Sequence, residues 1–232
     1  MKNNQASIIE IFSSVQGEGL HIGQRQIFIR FHGCNLDCRF CDIDRDKPPR
    51  KLDKDAILKT IDSLNAEGIH NSICLTGGEP LLHHEFLKGL LPQIKERGFK
   101  VDLETNATLT KELGSIIEYV DTIAIDIKLP SVSQNKPCWD EHIKFFEAAF
   151  KREFFVKVVV SDAIKIEDFD KALEIMKDVS FDIPFVIQPE TIGNSCELNI
   201  EGAMLLDLQK KALGSLNNVL VIPQAHKMLG VR

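Results

Sequence analysis

Between residues 27 and 222, short apolar runs alternate with stretches of helical periodicity, and most runs stop at a polar or glycine cluster. The runs are Ile27–Phe31, Ser72–Thr76, 99–104, Thr122–Asp126, Phe155–Val160, Pro184–Gln188 and Asn218–Ile222. The periodic stretches predict helices over 53–67, 84–97, 111–118, 139–150, 167–178 and 200–213. Asp53 is placed to cap the first of them, with Ile57, Ile61 and Leu64 on one face. Near-continuous apolar runs read as strands buried on both faces, and alternation with helices implies parallel pairing through right-handed crossovers. Six βα units and a last strand fall short of the eight of a full barrel. The expected class is therefore α/β, a partial (β/α)6 TIM-like barrel with N- and C-terminal extensions. In the first extension, residues 7–32 predict a short strand, a turn at Gln16–Gly19 and a second strand. The 232 residues suit one domain over 1–232.

The polar clusters that end the runs fall where such a barrel carries its chemistry, at the carboxyl ends of the strands. The first is a loop with Cys34, Cys38 and Cys41 at C-x3-C-x2-C spacing. Three thiolates from one short loop can converge on one inorganic centre. Structural zinc wants four ligands, usually as separated pairs, whereas a [4Fe–4S] cluster held by three cysteines keeps one iron open. A zinc loop completed by Cys74, Cys138, Cys196 or a histidine is the competing reading. Cys74 lies in an apolar run and reads as a small buried hydrophobe. The next clusters are Thr76-Gly77-Gly78-Glu79-Pro80, Glu104-Thr105-Asn106, Asp126-Ile127-Lys128 and Gln188-Pro189-Glu190. Two residues without a Cβ at Gly77-Gly78 let backbone approach a ligand closely, and Glu79 offers an acceptor.

A net charge of −6 leaves no basic stripe of the kind nucleic acid requires. No apolar run approaches the length of a membrane span, and the Met1–Gln5 start leads into a strand-like segment rather than a leader. Six cysteines, three clustered and three scattered, read as cytoplasmic metal chemistry rather than a disulfide framework.

The cysteine spacing resembles the signature of the radical S-adenosylmethionine (AdoMet) superfamily, and the Gly-Gly-Glu-Pro segment resembles its AdoMet-holding turn. Two further stretches are narrower. Glu10 to Gly19 with Phe28 to Leu36, and the terminal Pro223-Gln224-Ala225-His226-Lys227-Met228-Leu229-Gly230, are similar to the 7-carboxy-7-deazaguanine synthase family. That resemblance implies conversion of 6-carboxy-5,6,7,8-tetrahydropterin to 7-carboxy-7-deazaguanine with loss of ammonia, toward 7-deazapurine nucleosides such as queuosine in tRNA. AdoMet would be cleaved by an electron from the cluster, and the resulting 5′-deoxyadenosyl radical would take hydrogen from C6 of the pterin and return it.

The resemblance also implies residue roles. Cys34, Cys38 and Cys41 would ligate the cluster. Phe40, Asp42, Gly78, Glu79, Asp126, Ile127, Lys128, Gln188, Pro189, Glu190 and Thr191 would form the AdoMet site. Val15, Gln16, Gly17, Glu18, Arg30, Thr76, His226 and the terminal Arg232 would meet the pterin, with Arg30 pairing its carboxylate. A flavodoxin or ferredoxin would supply electrons, and a homodimer is expected. One position departs from the family. The residue after Asp42 is typically a Thr or Ser whose hydroxyl helps hold Mg2+, and here it is Ile43. Either Asp42 or Asp44 substitutes, the substrate and waters hold the ion, or no ion is needed. The alternatives are an activase that installs a glycyl radical on a partner protein, and a non-catalytic iron–sulfur or zinc module.

Overall fold

In the computed structural model, which describes residues 4–44, 47–193 and 195–231, one sheet of nine strands organises the chain. Strands β1 (Gln5–Val15) and β2 (Arg25–Phe31) pair antiparallel, with Phe12 opposite Phe28 and Glu10 opposite Arg30. Strand β3 (Arg50–Asp53) pairs antiparallel with the other side of β1. From β2 onward every neighbour is parallel, through β4 (Ser72–Gly77), β5 (Lys100–Thr105), β6 (Thr122–Ile127), β7 (Glu153–Val160), β8 (Phe185–Pro189) and β9 (Val219–Val221). These strands follow chain order across the sheet, as successive right-handed βα crossovers require. The outermost strands β3 and β9 do not pair with each other, so the barrel stays open.

The longer helices are α1 (Lys54–Leu64), α2 (His84–Glu96), α5 (Trp139–Ala149), α6 (Ile166–Val179) and α7 (Gly202–Leu213). Short ones fall at α3 (Thr110–Gly114), α4 (Pro130–Ser133) and α8 (Ala225–Leu229). Asp53 Oδ1 accepts the Ala56 N–H at 2.9 Å and so caps α1 as its sequence predicts. Among the described residues, no helix is long and apolar enough to cross a membrane.

The core lies between the sheet and its helices. Ile27, Ile29 and Phe31 of β2, Ile73 and Leu75 of β4, and Ile123, Ile125 and Ile127 of β6 join one large cluster with the helical side chains. Side chains alternate along a strand, so the opposite parity faces inward. Phe28 and Cys74 pack there with Phe12 as a small separate cluster, and Arg30, Thr76, Glu104, Asp126, Lys157 and Gln188 line a cavity. The strands are buried on both faces, but the inner face mixes apolar side chains with the polar ones that line the cavity.

Four further differences share a cause in non-local pairing or short length. β1 has eleven residues rather than a few. β3 falls where the sequence predicts no strand, and it pairs with the edge that β1 offers. The helix expected over 111–118 is five residues of α3 followed by a 3-10 turn at Ile117–Tyr119. α4 and α8 are too short to show a period.

Candidate active site

The cavity at the carboxyl ends of the strands has a volume of about 540 Å³. The cysteine loop forms one wall. It leaves β2 at Gly33, whose φ of +93° favours glycine, and turns back where Cys41 N–H meets Cys38 O at 3.1 Å. Cys34, Cys38 and Cys41 are free thiols lining the cavity. Burial pushes the Cys34 and Cys38 thiols up, so ligation would release protons.

Beneath this loop runs the Gly77-Gly78 turn. Gly78 N–H donates to Phe31 O at 3.0 Å and Glu79 N–H to Gly33 O at 2.8 Å. A Cβ on Gly78 would stand 1.9 Å from Gly33 O. The glycine is therefore required for two backbones to meet, and the same bare backbone faces the cavity. Glu79 points the other way. Its fully buried carboxylate accepts from Leu81 N–H at 3.0 Å, Thr105 Oγ at 2.9 Å and Asn106 N–H at 2.8 Å. Burial outweighs those donors and pushes its pKa up to about 7.

The opposite wall comes from the loop after β1. Gln16 is buried and donates to Gln26 Oε1 at 3.2 Å and Glu104 Oε1 at 3.0 Å. Glu104 also accepts the Thr76 hydroxyl at 2.6 Å. Glu18 accepts from Lys157 and, at 2.8 Å, from Gln224 Nε2. Burial alone would raise the Glu18 pKa, but the Lys157 ammonium holds it well below the usual carboxylate range. Burial likewise works against the Lys157 charge, yet Glu18 and Asp126 hold its pKa above the ordinary lysine value. Arg30 lies over the Phe12 ring, 5.4 Å from its centroid, and 3.5 Å from Glu10.

Lys128 connects the walls. Its ammonium donates to Asp126 Oδ2 at 2.8 Å and sits 5.0 Å from the centroid of Phe40. On the far side Arg39 donates to Glu190 Oε2 at 2.6 Å, and Thr191 donates to Gln224 Oε1 at 2.5 Å. The 223–231 segment closes this side, with Ala225 N–H on Gly17 O at 2.9 Å. A Cβ on Gly17 would stand 2.3 Å from His226 Nδ1.

The residues singled out in the sequence mostly meet here. Val15, Gln16, Gly17, Glu18, Arg30, Phe40, Asp42, Thr76, Gly78, Asp126, Lys128, Gln188, Glu190, Thr191 and His226 all line the cavity with the three cysteines. Glu79, Ile127 and Pro189 do not. Glu79 lies behind the turn, and the other two have the outward parity of their strands. Arg232 lies outside the described residues. Glu104 was placed among the polar strand ends, and Gln224 and Lys227 in the terminal stretch, without a role at the site, and Lys157 was not singled out; all four line the cavity. Lys157 had a signal, a lone cation in Phe-Phe-Val-Lys-Val-Val-Val.

Three atoms on this cavity are buried without a hydrogen-bond partner among the described residues: Arg30 Nε, Asp126 Oδ1 and Gln188 Oε1. Buried polar atoms left this way cost roughly 1–3 kcal/mol each unless something pairs with them. Solvent or a polar ligand in the cavity would satisfy them.

A cysteine-triad loop on an open parallel barrel defines a radical SAM protein, and the model of the Radical SAM superfamily matches residues 28–179. The 7-carboxy-7-deazaguanine synthase of Geobacter sulfurreducens is 40% identical, covering 99% of this chain and 99% of its own. That of Methanopyrus kandleri is 32% identical over 96% of this chain and 93% of its own. The chain belongs to the 7-carboxy-7-deazaguanine synthase family. A crystal structure of QueE from Escherichia coli aligns with TM-score 0.64 at 19% identity, over 93% of this chain and 92% of that one. SuiB of Streptococcus suis, bound to its precursor peptide SuiA, aligns with TM-score 0.60 at 18% identity, over 81% and 46%. At such identities the likeness is one of fold.

Membership brings a [4Fe–4S] cluster and AdoMet. The residues present fit both: three free thiols from one loop, a glycine backbone beside them, and unpartnered Asp126 and Gln188 oxygens facing the same space.

Proposed function

We propose that this chain is a 7-carboxy-7-deazaguanine synthase, converting 6-carboxy-5,6,7,8-tetrahydropterin to 7-carboxy-7-deazaguanine with loss of ammonia in 7-deazapurine biosynthesis. The observation that carries this reading is the single cavity in which the cysteine triad faces Gln16, Glu18, Arg30 and Thr76. When bound, the cluster and AdoMet supply the hydrogen-abstracting chemistry, and the protein supplies position and charge.

Cys34, Cys38 and Cys41 hold the cluster in this reading. Gly78, Phe40, Asp126, Lys128, Gln188, Glu190 and Thr191 surround AdoMet, with Asp126 Oδ1 and Gln188 Oε1 accepting from it. Arg30 Nε, left without a partner, pairs the substrate carboxylate as a planar donor fork. Val15 to Glu18, Thr76 and His226 orient the pterin. A Mg2+ ion beside the substrate finds Glu18, Asp42 and His226, whose ligand atoms lie within 4.8 Å of one another. Carboxylate oxygens suit a hard cation, and Ile43, on the same wall, contributes none. The chain works as one radical SAM domain over 1–232, as a cytoplasmic homodimer drawing electrons from a flavodoxin or ferredoxin.

The test is anaerobic turnover of reconstituted protein with AdoMet, reductant and the tetrahydropterin, at several Mg2+ concentrations. Formation of 7-carboxy-7-deazaguanine is the expected result, with Asp42→Asn needing at least about tenfold more Mg2+. AdoMet cleavage with the pterin untouched would move the substrate assignment to another radical reaction, such as glycyl-radical activation.

A further inference from the structure

Two asparagines, from separate elements, carry their amides to cysteine sulfurs. Asn135 follows α4 and the left-handed Gln134, at φ 60°. Its Nδ2 donates to Cys38 Sγ at 3.1 Å, while its Oδ1 accepts the Asp37 N–H at 3.0 Å. Its own N–H donates to Ser133 Oγ at 3.3 Å. One amide therefore holds the cysteine loop at two consecutive residues, Asp37 and Cys38.

Asn106, at the end of β5, donates to Cys34 Sγ at 3.7 Å and to Asn35 Oδ1 at 2.9 Å. Its orientation is dictated by its neighbours. Thr108 donates to Oδ1 from its hydroxyl at 2.6 Å and from its N–H at 3.2 Å, leaving the amide nitrogen for the loop. Its backbone is fixed by Glu79 and by His142 Nε2, 3.1 Å from its carbonyl. Leu36 N–H adds a second donor to Cys34 Sγ at 3.4 Å. The three cysteines are thus unequal: among the described residues, no hydrogen bond reaches Cys41 Sγ.

An N–H donor at a cysteine sulfur stabilises the added negative charge of a reduced cluster more than that of the oxidised one, and so raises its reduction potential. We propose that Asn135, and more weakly Asn106, are positioning residues that set the reduction potential of the iron–sulfur centre, and with it the one-electron reductants able to feed the reaction. The inference rests on the cluster reading of the three cysteines. Asn135 is the stronger of the two, because its contact is shorter and it also fixes the Asp37 backbone.

The experiment is a redox titration of reconstituted protein followed by electron paramagnetic resonance, after iron and sulfide have been quantified. Asn135→Asp keeps the acceptor for Asp37 and replaces the donor with a charge; Asn135→Leu removes both without adding charge. Each is expected to lower the ratio of reduced to oxidised cluster at fixed potential at least about tenfold, equivalent to 59 mV for one electron. Asn106→Ala is expected to lower it less. Full clusters at unchanged potential in the Asn135 variants would overturn the proposal. Where those variants fail to retain iron, an unchanged potential in Asn106→Ala overturns it. Failure of the parent chain to take up iron would instead strike at the cluster reading itself.

Discussion

The Lys157 ammonium meets the Glu18 carboxylate at 2.5 Å, joining residues 139 apart in sequence. It also lies 3.3 Å from Asp126 Oδ2, so one cation on β7 ties the loop after β1 to the end of β6. Their side chains are between 11% and 18% exposed, too buried for solvent to screen them well.

Removing that cation takes from two buried carboxylates the partner they share, leaving Asp126 to Lys128 and Glu18 to Gln224. Lys157→Met is expected to destabilise the protein by about 3–5 kcal/mol at neutral pH, read from urea unfolding. The pH dependence has a definite sign. Glu18 has a depressed pKa, so its contribution is present above the unfolded value of about 4.5 and is lost as pH falls toward the folded one. The penalty of the variant is therefore expected to shrink as acid is added.

Two buried groups behind the site titrate in opposing directions. Glu79 is pushed up to about 7 by burial, so its contribution is present below about 4.5 and lost as pH rises toward 7. His142 is pushed down to about 4 by burial, against the bond from Nε2 to Asn106 O. The unfolded chain takes up that proton near 6.5, so stability is lost as pH falls from there toward 4. Between about pH 5 and 6.5 the contributions of these two groups to the stability of the unmetallated protein are expected to oppose each other. His142→Gln should then reveal a slope falling with pH and Glu79→Gln one rising with it, each near 1.4 kcal/mol per unit at most.

Arg30 has its Nε unpaired and its guanidinium spread over Phe12. Arg30→Lys keeps the charge but loses the planar fork. The expected result is a loss of about ten- to a hundredfold in kcat/KM for the tetrahydropterin, with AdoMet binding retained. Calorimetry of AdoMet binding beside steady-state turnover separates the two.

Gly17 is held against the 223–231 segment, where a methyl group would collide with both the ring and the backbone of His226. Gly17→Ala is expected to lift that segment and reduce turnover by about a hundredfold, since misplacement of about 1 Å carries such a penalty. Limited proteolysis should cut residues 223–231 faster in the variant while the melting temperature stays nearly constant.

Much of this arrangement was legible in the sequence because strands and helices of ordinary length keep their periods. Asp53 announced α1, and the polar ends of the apolar runs marked the cavity. What was missed depends on contacts distant in sequence. Arg50-Lys51-Leu52-Asp53 has no strand pattern of its own and becomes β3 only beside β1. Lys157 was counted within the apolar run Phe155–Val160, and its parity turns it to the cavity. Ile127 and Pro189 were grouped with their polar neighbours, while a period of two gives them the parity opposite to the cavity, and Ile127 joins the core. Glu79 carried an acceptor, as its sequence indicated, and spends it on three donors of its own chain.

The open edge between β3 and β9 means that the barrel has no strand-built wall on one side. There the loop after β1 and the segment around α8 are held together by the Ala225–Gly17 hydrogen bond and the amide of Gln224. A molecule lodged between Glu18 and His226 would replace the absent strands as the bridge between the two ends of the chain. Occupancy of the cavity and order of the final residues would then be one variable, and hydrogen exchange at 223–231 would report substrate binding without any chemistry taking place.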